Sequence, residues 1–343
     1  MPDDIFEDAP ERRQRPRRKP RRTGRKILFG FLVLVLVLVA GIGGYAWYLG
    51  RTFDKNSNTI PDEQVFGDKT PPPVDGKAMN ILVLGADEPM DQVDFSNSRG
   101  LRSDTIMVAH VPEDRSSIQF MSIPRDSWVD IEGQGKAKIN AALSYGGLPL
   151  AVSTVEDFIG APINHVAMID FEGFQLLTDS VGGVDVESSQ AFSSGGHSFT
   201  EGTNHLDGEA ALAFVRARKQ FADGDLQRAR NQQEFMSSLF GMIVDADTLS
   251  NPNKVTGMVR DFSPYMYLDS ALHSSAISRY ALAMRDIRSD DIDFFTAPIA
   301  GVGQSSDGQS YVKVDEDELQ DVRKAFKDDN VKDYAANADQ QHL

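Results

Sequence analysis

The chain contains no cysteine, which excludes disulfides, thiolate metal sites and cysteine nucleophiles. Several catalytic signatures are missing too: no Walker loop, GxSxG elbow or GxGxxG run occurs. The six histidines fall at no metal-ligand spacing, and no internal repeat is visible. Positive charge is scarce, with 35 Lys and Arg against 51 Asp and Glu and a formal net charge of −16. What is present is an ordinary globular composition, 41% hydrophobic and 25% charged over 343 residues. That is enough for a full core in one large domain or two small ones.

The few cations are unevenly placed. Residues 1–26 hold ten Arg or Lys against five acids and are rich in proline, the composition of a disordered basic tail. Ile27 to Leu49 then runs 23 residues without a charge. At about 1.5 Å per residue a helix of that length reaches roughly 35 Å, enough for a bilayer core of about 30 Å. Tyr45, Trp47 and Tyr48 stand at its far end, where interfacial aromatics belong. The run exceeds the 7–15 apolar residues or so of a cleavable signal peptide. The expectation is a signal-anchor: a single-pass protein of the cell membrane with a cytoplasmic N-terminus and everything after Gly50 outside. With that topology the basic tail is no nucleic-acid arm for the folded part.

Beyond the anchor, residues 50–78 have linker composition, with Pro71, Pro72 and Pro73 together. Residues 79–328 are expected to form one domain, and 329–343 a polar tail. Apolar runs predict strands over Met79–Leu84, Thr105–Val111 and Ser117–Ile123, the last two as a hairpin. A Gly-rich loop is expected between Asp126 and Asn140, then a helix over Ala141–Gly160 broken at Gly146 and Gly147. Further strands are expected at His165–Ile169, Val184–Val186, Ile292–Pro298 and Ser310–Val314. Helices are expected at Phe171–Val181, Glu209–Phe214, Gln227–Ala246, within Pro264–Arg288 and at Asp315–Lys327, with a Ser/Gly-rich loop at Gln190–Gly202. Alternating strands and helices predict an α/β fold, an α-β-α domain with a central mixed sheet covered on both faces.

Within that domain, Val215–Gln233 (VRARKQFADGDLQRARNQQ) gathers Arg216, Arg218, Arg228 and Arg230 against the acidic background. A solvated helix face balanced by Asp223 and Asp225 would be the ordinary account. Three features favour another. Arg216 and Arg218, two apart, share a side if the segment is extended. Gly224 breaks the stretch and leaves Asp225 where an N-cap is wanted. Arg228 and Gln232, four apart, share a helical face. Guanidinium forks converging in this way suit a phosphate or pyrophosphate.

Asp87 closes the first strand and Asp104 opens the second, so their carboxylates can face each other at one sheet edge. Without thiolate or histidine partners they suit a hard ion such as Mg²⁺; two merely capping or solvated aspartates are the alternative. Arg102 and Arg125 (in SIPRD) add cations at strand ends, where α/β proteins collect functional side chains.

These segments, in order, carry a family resemblance. NILVLGAD (80–87), RSDTIMVAHV (102–111), SIPRDSWVDI (122–131) and KINAALSYGG (138–147) are followed by TVEDFIG (154–160) and INHVAMIDFEGF (163–174). DSVGGVDV (179–186), LDGEAALAFVRAR (206–218) and GDLQRARNQQ (224–233) complete the series. Over about residues 79–245 the chain closely resembles the LytR–CpsA–Psr family of cell-wall glycopolymer ligases. The resemblance implies transfer of a glycopolymer, whether teichoic acid, capsular polysaccharide or arabinogalactan, from a polyprenyl-pyrophosphate carrier onto peptidoglycan. It implies Asp87 and Asp104 as ligands of Mg²⁺ (or Mn²⁺), with Asp104 also a possible base. Arg102, Arg125, Arg216, Arg218 and Arg228 become the pyrophosphate clamp, with Gln232 and Lys138 as further donors and Asp225 in support. The lipid tail of the carrier, a membrane lipid, would fill an apolar tunnel between sheet and helices. Arg230 has no family counterpart, the loop from Glu88 to Leu101 is long, and residues 250–343 form no separate module. A pyrophosphatase acting on the same carrier and a non-catalytic lipid-binding regulator are the competing readings.

Overall fold

The computed structural model describes residues 41, 43–74, 76–86, 90, 93–95, 103–221 and 225–341. The chain divides into two compact units, Met1–Tyr48 and Leu49–Leu343. In the first, residues 43–48 are helical, and Trp47 and Tyr48 are exposed. The expected basic tail and most of the expected membrane span, residues 27–40 and 42, lie outside the described residues. Among the described residues no helix is long and apolar enough to cross a membrane.

The second unit opens with helical residues 49–56 (α1), then β1 (Asn58–Ile60), α2 (Asp62–Phe66), β2 (Met79–Ala86), β3 (Ser103–Val111) and β4 (Ile118–Ser122). Next come the hairpin β5 (Trp128–Ile131) and β6 (Gly135–Lys138), then α3 (Ala141–Ile159), β7 (His165–Asp170) and α4 (Phe171–Val181). Four short strands follow, β8 (Val184–Ser188), β9 (Phe192–Ser194), β10 (His197–Phe199) and β11 (Gly202–Leu206). Helices α5 (Gly208–Arg216), α6 (Asp225–Val244), α7 (Ala246–Leu249) and α8 (Pro252–Phe262) lead to β12 (Met266–Asp269) and α9 (Ser274–Ala283). The chain finishes with β13 (Ile292–Thr296), β14 (Ile299–Gln304), β15 (Ser310–Val314), α10 (Glu316–Lys327) and α11 (Val331–Gln341).

Seven strands form the main sheet in the order β1-β12-β7-β2-β3-β4-β13. It is mixed: β1–β12, β7–β2 and β4–β13 pair parallel, and the other neighbours antiparallel. Successive side chains of a strand point to opposite faces, and that alternation builds two cores. Leu82, Leu84 and Ala86 of β2 join Ile106 and Val108 of β3 on one face, beneath α3, α10 and α11. Ile81 and Val83 join Met107, Ala109 and Phe120 on the other, where Met236 and Phe240 of α6 approach. Helices α4, α5 and α6 pack around Phe214 and Phe235 in a separate cluster completed by β8, β10, β11 and α8. The second face of the sheet is therefore only partly filled by helix side chains.

The expected hairpin at 105–123, the helix over 141–160 with non-helical backbone at Gly146 and Gly147, and strands on both sides of α4 are present. Other segments differ. The linker region 50–78 supplies α1, α2 and the sheet-edge strand β1, because Asn58–Ile60 finds a parallel partner in β12. The expected loops at 126–140 and 190–202 fold as the hairpins β5–β6 and β9–β10. Within Pro264–Arg288 a strand, β12, precedes the single helix α9. β15 pairs outside the main sheet with β14, which no periodicity announced, and the polar tail forms α11 around buried Val331 and Ala335. The unannounced α8 starts with Asn251 accepting from the Asn253 and Lys254 N–H groups and Pro252 at its first turn.

One glycine fixes how closely the helices of the second face approach. A Cβ on Gly208 would lie 2.4 Å from the carbonyl oxygen and 2.7 Å from the Cα of Gln175, so α5 begins in contact with the α4 backbone. Backbone cannot swing aside as a side chain can. Gly208→Ala is therefore expected to lower stability by about 1–3 kcal/mol, read from chemical denaturation midpoints. An unchanged midpoint would refute this close-packing account.

Candidate active site

Because β3 runs antiparallel to both its neighbours, its first residues meet the carboxyl ends of β2 and β4, and β7, parallel to β2, ends there too. This edge opens on a cavity of about 470 Å³. Its polar lining comes from element ends: Asp104 at the start of β3, Arg125 just after β4, Asp170 closing β7, Arg216 closing α5, Arg218, and Arg228 in the first turn of α6. Its apolar lining comes from further inside the elements: Val83 of β2 and Met107 of β3, Phe174 on α4, Leu212 on α5, Phe235 and Met236 on α6. The cavity is thus cationic where elements end and apolar where they pack.

The residues Arg125 and Asp126, adjacent in one turn, take partners of opposite sign. Arg125 Nη1 donates to Asp104 Oδ1, while its buried Nε has no hydrogen-bond partner among the described residues. A buried orphan donor is costly, and an anion in the cavity would satisfy it. The buried Asp126 carboxylate lies 3.0 Å from Lys138 Nζ and 3.9 Å from Arg218 Nη2. The Arg216 guanidinium carbon lies 4.5 Å from the centroid of the Phe171 ring, a cation–π geometry that limits its wandering. Arg228 is only 8% exposed, so its charge sits in the wall of the cavity and not in bulk water. Gln232 Nε2 donates to the carbonyl of Val215 at 3.4 Å, joining α6 to α5.

Of the residues singled out from sequence, Asp104, Arg125, Arg216, Arg218, Arg228 and Gln232 are brought to this one cavity. Lys138 is not in its lining; it reaches Arg218 only through Asp126. Asp87 and Arg102 lie outside the described residues. Asp225 is the first residue of α6 and not a residue ahead of it, and nothing is described of its side chain. The extended arm expected for Arg216 and Arg218 is also corrected: Arg216 is the last residue of α5, whose helix-forming run carries through it. The chain turns out only at Ala217 (φ −59°, ψ 127°), and both arginines still reach the cavity.

Sequence reasoning missed Asp170, Phe171, Asp126, Lys219 and Gln220. Asp170 had a legible signal, an aspartate closing an apolar strand immediately before a helix. Its Oδ1 accepts from the Gly173 N–H at 2.8 Å, the N-cap of α4. Burial pushes its carboxyl above the ordinary range, opposed by that same hydrogen bond. Asp126 had no signal, because its partners come from β6 and from beyond α5.

Mg²⁺ usually takes one or two protein carboxylates and completes its shell with water and substrate phosphate. Asp104 offers one such hard oxygen at the sheet edge, and its proposed partner Asp87 is outside the described residues. Among the described residues no group of three or more His, Asp or Glu side chains forms a closed metal cage.

Two substitutions probe this electrostatic arrangement. Asp126→Asn keeps the shape but leaves Lys138 and Arg218 without their shared carboxylate; it should cost about 1–3 kcal/mol of stability, measured by thermal unfolding. Asp170→Asn preserves a good N-cap. A carboxyl with a raised folded pKa contributes stability below its ordinary value of 3.8 and loses it as pH rises through the raised value. The Asn variant should therefore gain on the wild type as pH climbs through that window, in melts followed against pH. A constant offset would count against the burial argument.

The chain has relatives throughout this region. The LytR_cpsA_psr family profile matches residues 49–328. A polyisoprenyl-teichoic acid–peptidoglycan teichoic acid transferase TagU of Enterococcus faecalis is 32% identical over 305 residues, 88% of this chain and 95% of that protein. A TagU of Bacillus mycoides is 35% identical over 233 residues, 66% of this chain and 74% of that protein. Among solved structures, B. subtilis TagV matches with a TM-score of 0.62 at 28% identity, covering 74% of this chain and 98% of that one. TagT bound to LI-WTA matches at 0.56 and 26% identity, covering 74% and 90%. With its motifs in order, its mixed sheet and a profile match from 49 to 328, the chain belongs to the LytR_cpsA_psr family.

Proposed function

We propose that this chain is a membrane-anchored phosphotransferase that moves a glycopolymer from a polyprenyl-pyrophosphate carrier onto peptidoglycan. The observation that carries the reading is the two-sided cavity. Arg125, Arg216, Arg218 and Arg228 line it together with Phe174, Leu212, Phe235 and Met236, which suits a ligand with an anionic head and an apolar tail. The relatives' names as teichoic acid transferases support the same reading. For anchoring, support comes from the uncharged run Ile27–Leu49 and from exposed Trp47 and Tyr48 at its end.

In this mechanism an acceptor sugar hydroxyl attacks the sugar-proximal phosphorus. The new P–O bond forms as the bond to the carrier's bridging oxygen breaks, and polyprenyl phosphate leaves with that electron pair. Phosphoryl transfer needs positioning and charge neutralisation more than covalent help from protein. Arg125, Arg216, Arg218 and Arg228 hold the pyrophosphate oxygens, joined by Arg102, with Gln232 as a neutral donor. Lys138 supports Arg218 through the carboxylate of Asp126, and Asp225 is assigned the role of orienting the clamp. Asp87 and Asp104 would hold Mg²⁺, which when bound supplies further charge neutralisation at the pyrophosphate. The hydroxyl proton goes to a carboxylate of the cavity. Asp104 and Asp170 both line the cavity, each with one oxygen engaged, by Arg125 and by the Gly173 N–H, and these two carboxylates are the candidate bases.

Arg216→Ala combined with Arg218→Ala should reduce polymer transfer by about 10²-fold or more, measured with lipid-linked donor and a glycan acceptor. Wild-type rates in that double variant would sink the reading. Donor turnover without any acceptor would instead favour a pyrophosphatase.

A further inference from the structure

A second recess lies on the other side of α6, and the chemistry of its walls differs from that of the first cavity. Resting on the transferase reading, we propose that this groove, about 630 Å³ between α6, β8 and β13, binds the N-acetylated glycan chain of the acceptor.

The helix itself separates the two sites. Arg228, Gln232, Phe235 and Met236 face the first cavity, while Gln227, Arg230, Asn231 and Glu234 face the groove. The two are one helix apart, about 10–12 Å with side chains. An acceptor whose reacting hydroxyl enters the first cavity must lay the rest of its chain on nearby surface.

The groove's polar groups are held in place before any ligand arrives. Gln227 and Asn231 are 6% and 4% exposed. Gln227 Nε2 donates to Asn231 Oδ1 at 2.9 Å, and Gln227 Oε1 accepts from Arg230 Nε at 3.0 Å. Across the groove Asp293 Oδ2 accepts from Gln119 Nε2 at 3.0 Å. Groups locked this way lose little entropy on binding.

Charge selects the class of ligand. Glu187, Glu234 and Asp293 line the groove against one guanidinium, Arg230, so a phosphate-rich polymer is repelled. Apolar lining is confined to Ile292 and Phe294, too little for a lipid. Carboxylates, amides, hydroxyls and one guanidinium suit a neutral chain rich in hydroxyl and acetamido groups. That description fits the amino-sugar strand of the acceptor rather than an anionic donor polymer.

The test is calorimetric titration of the full chain with a β-1,4-linked N-acetylglucosamine tetramer, with poly(glycerol phosphate) as the polyanion arm. Arg230→Ala and Asp293→Asn should each weaken tetramer binding by about tenfold or more, and Ser237→Trp, which fills the groove, should abolish it. The polyanion should not bind there. In the transfer assay the same variants should raise the KM for acceptor and leave that for donor unchanged. Deletion and filling act in opposite steric directions, so loss in both with unchanged melting temperatures cannot come from misfolding. No tetramer binding by the wild type, equal binding by all variants, or a shift in the donor KM would overturn the proposal. The titration contains no donor, so a wild type that binds the tetramer but transfers nothing would condemn the transferase reading alone.

Discussion

The site depends on one turn, Pro124 to Ser127, in which a cation and an anion stand side by side and face different partners. Arg125 turns to Asp104, and Asp126 to Lys138 and Arg218. The turn's backbone is tied in three directions: the Arg125 carbonyl accepts from Asn140 N–H, the Asp126 carbonyl from Val312 N–H, and the Ser127 carbonyl from Ile139 N–H. The sheet, the β5–β6 hairpin, α3 and β15 thus all converge on it. Like-charged arginines gathered in one place repel, and fixed carboxylates between them keep the cluster from dispersing. Arg125 Nε stays buried and without a hydrogen-bond partner among the described residues, and an anion in the cavity would meet that need.

The second organising element is α6. A helix that packs on one face alone closes a core; this one has work on two. Toward the sheet and α4 it presents Phe235 and Met236, yet Val83 and Met107 opposite remain partly unfilled, and the apolar cavity is that shortfall. Close contact of α5 with the α4 backbone at Gly208 and the Gln232 bond to Val215 hold the three helices as a unit above the sheet. Leaving such space forfeits dispersion contacts, a loss that makes sense where a ligand's own apolar tail restores them. On its other face α6 carries a satisfied amide and guanidinium network that needs no lipid and no phosphate.

Much of this was legible from residues alone. Short apolar runs located β2, β3 and β7, and Gly146 and Gly147 marked the break in α3. Arg228 and Gln232 share a cavity because four residues along a helix return to one side. Arg216 and Arg218 reached the cavity by a different route from the extended arm that their spacing suggested, since a helix end and a turn can aim two neighbours as well as a strand can. The short strands β1, β12 and β14 escaped notice because three to six residues carry too little periodicity; their partners, distant in sequence, decide them. Asp126 escaped for the same reason, its meaning residing in Lys138 and Arg218.

By itself the sequence determined the alternation of strands and helices, the uncharged run ahead of the domain, and the gathering of arginines in an acidic chain. Those follow from local composition and spacing, which need no partner. Only the tertiary structure decided which carboxylate meets which guanidinium, that Asp170 lines the site and caps a helix, and that α6 divides two recesses of opposite chemistry. These depend on where β3 turns back against β2 and β4 and on which helix faces are left uncovered, and both are settled by long-range pairing.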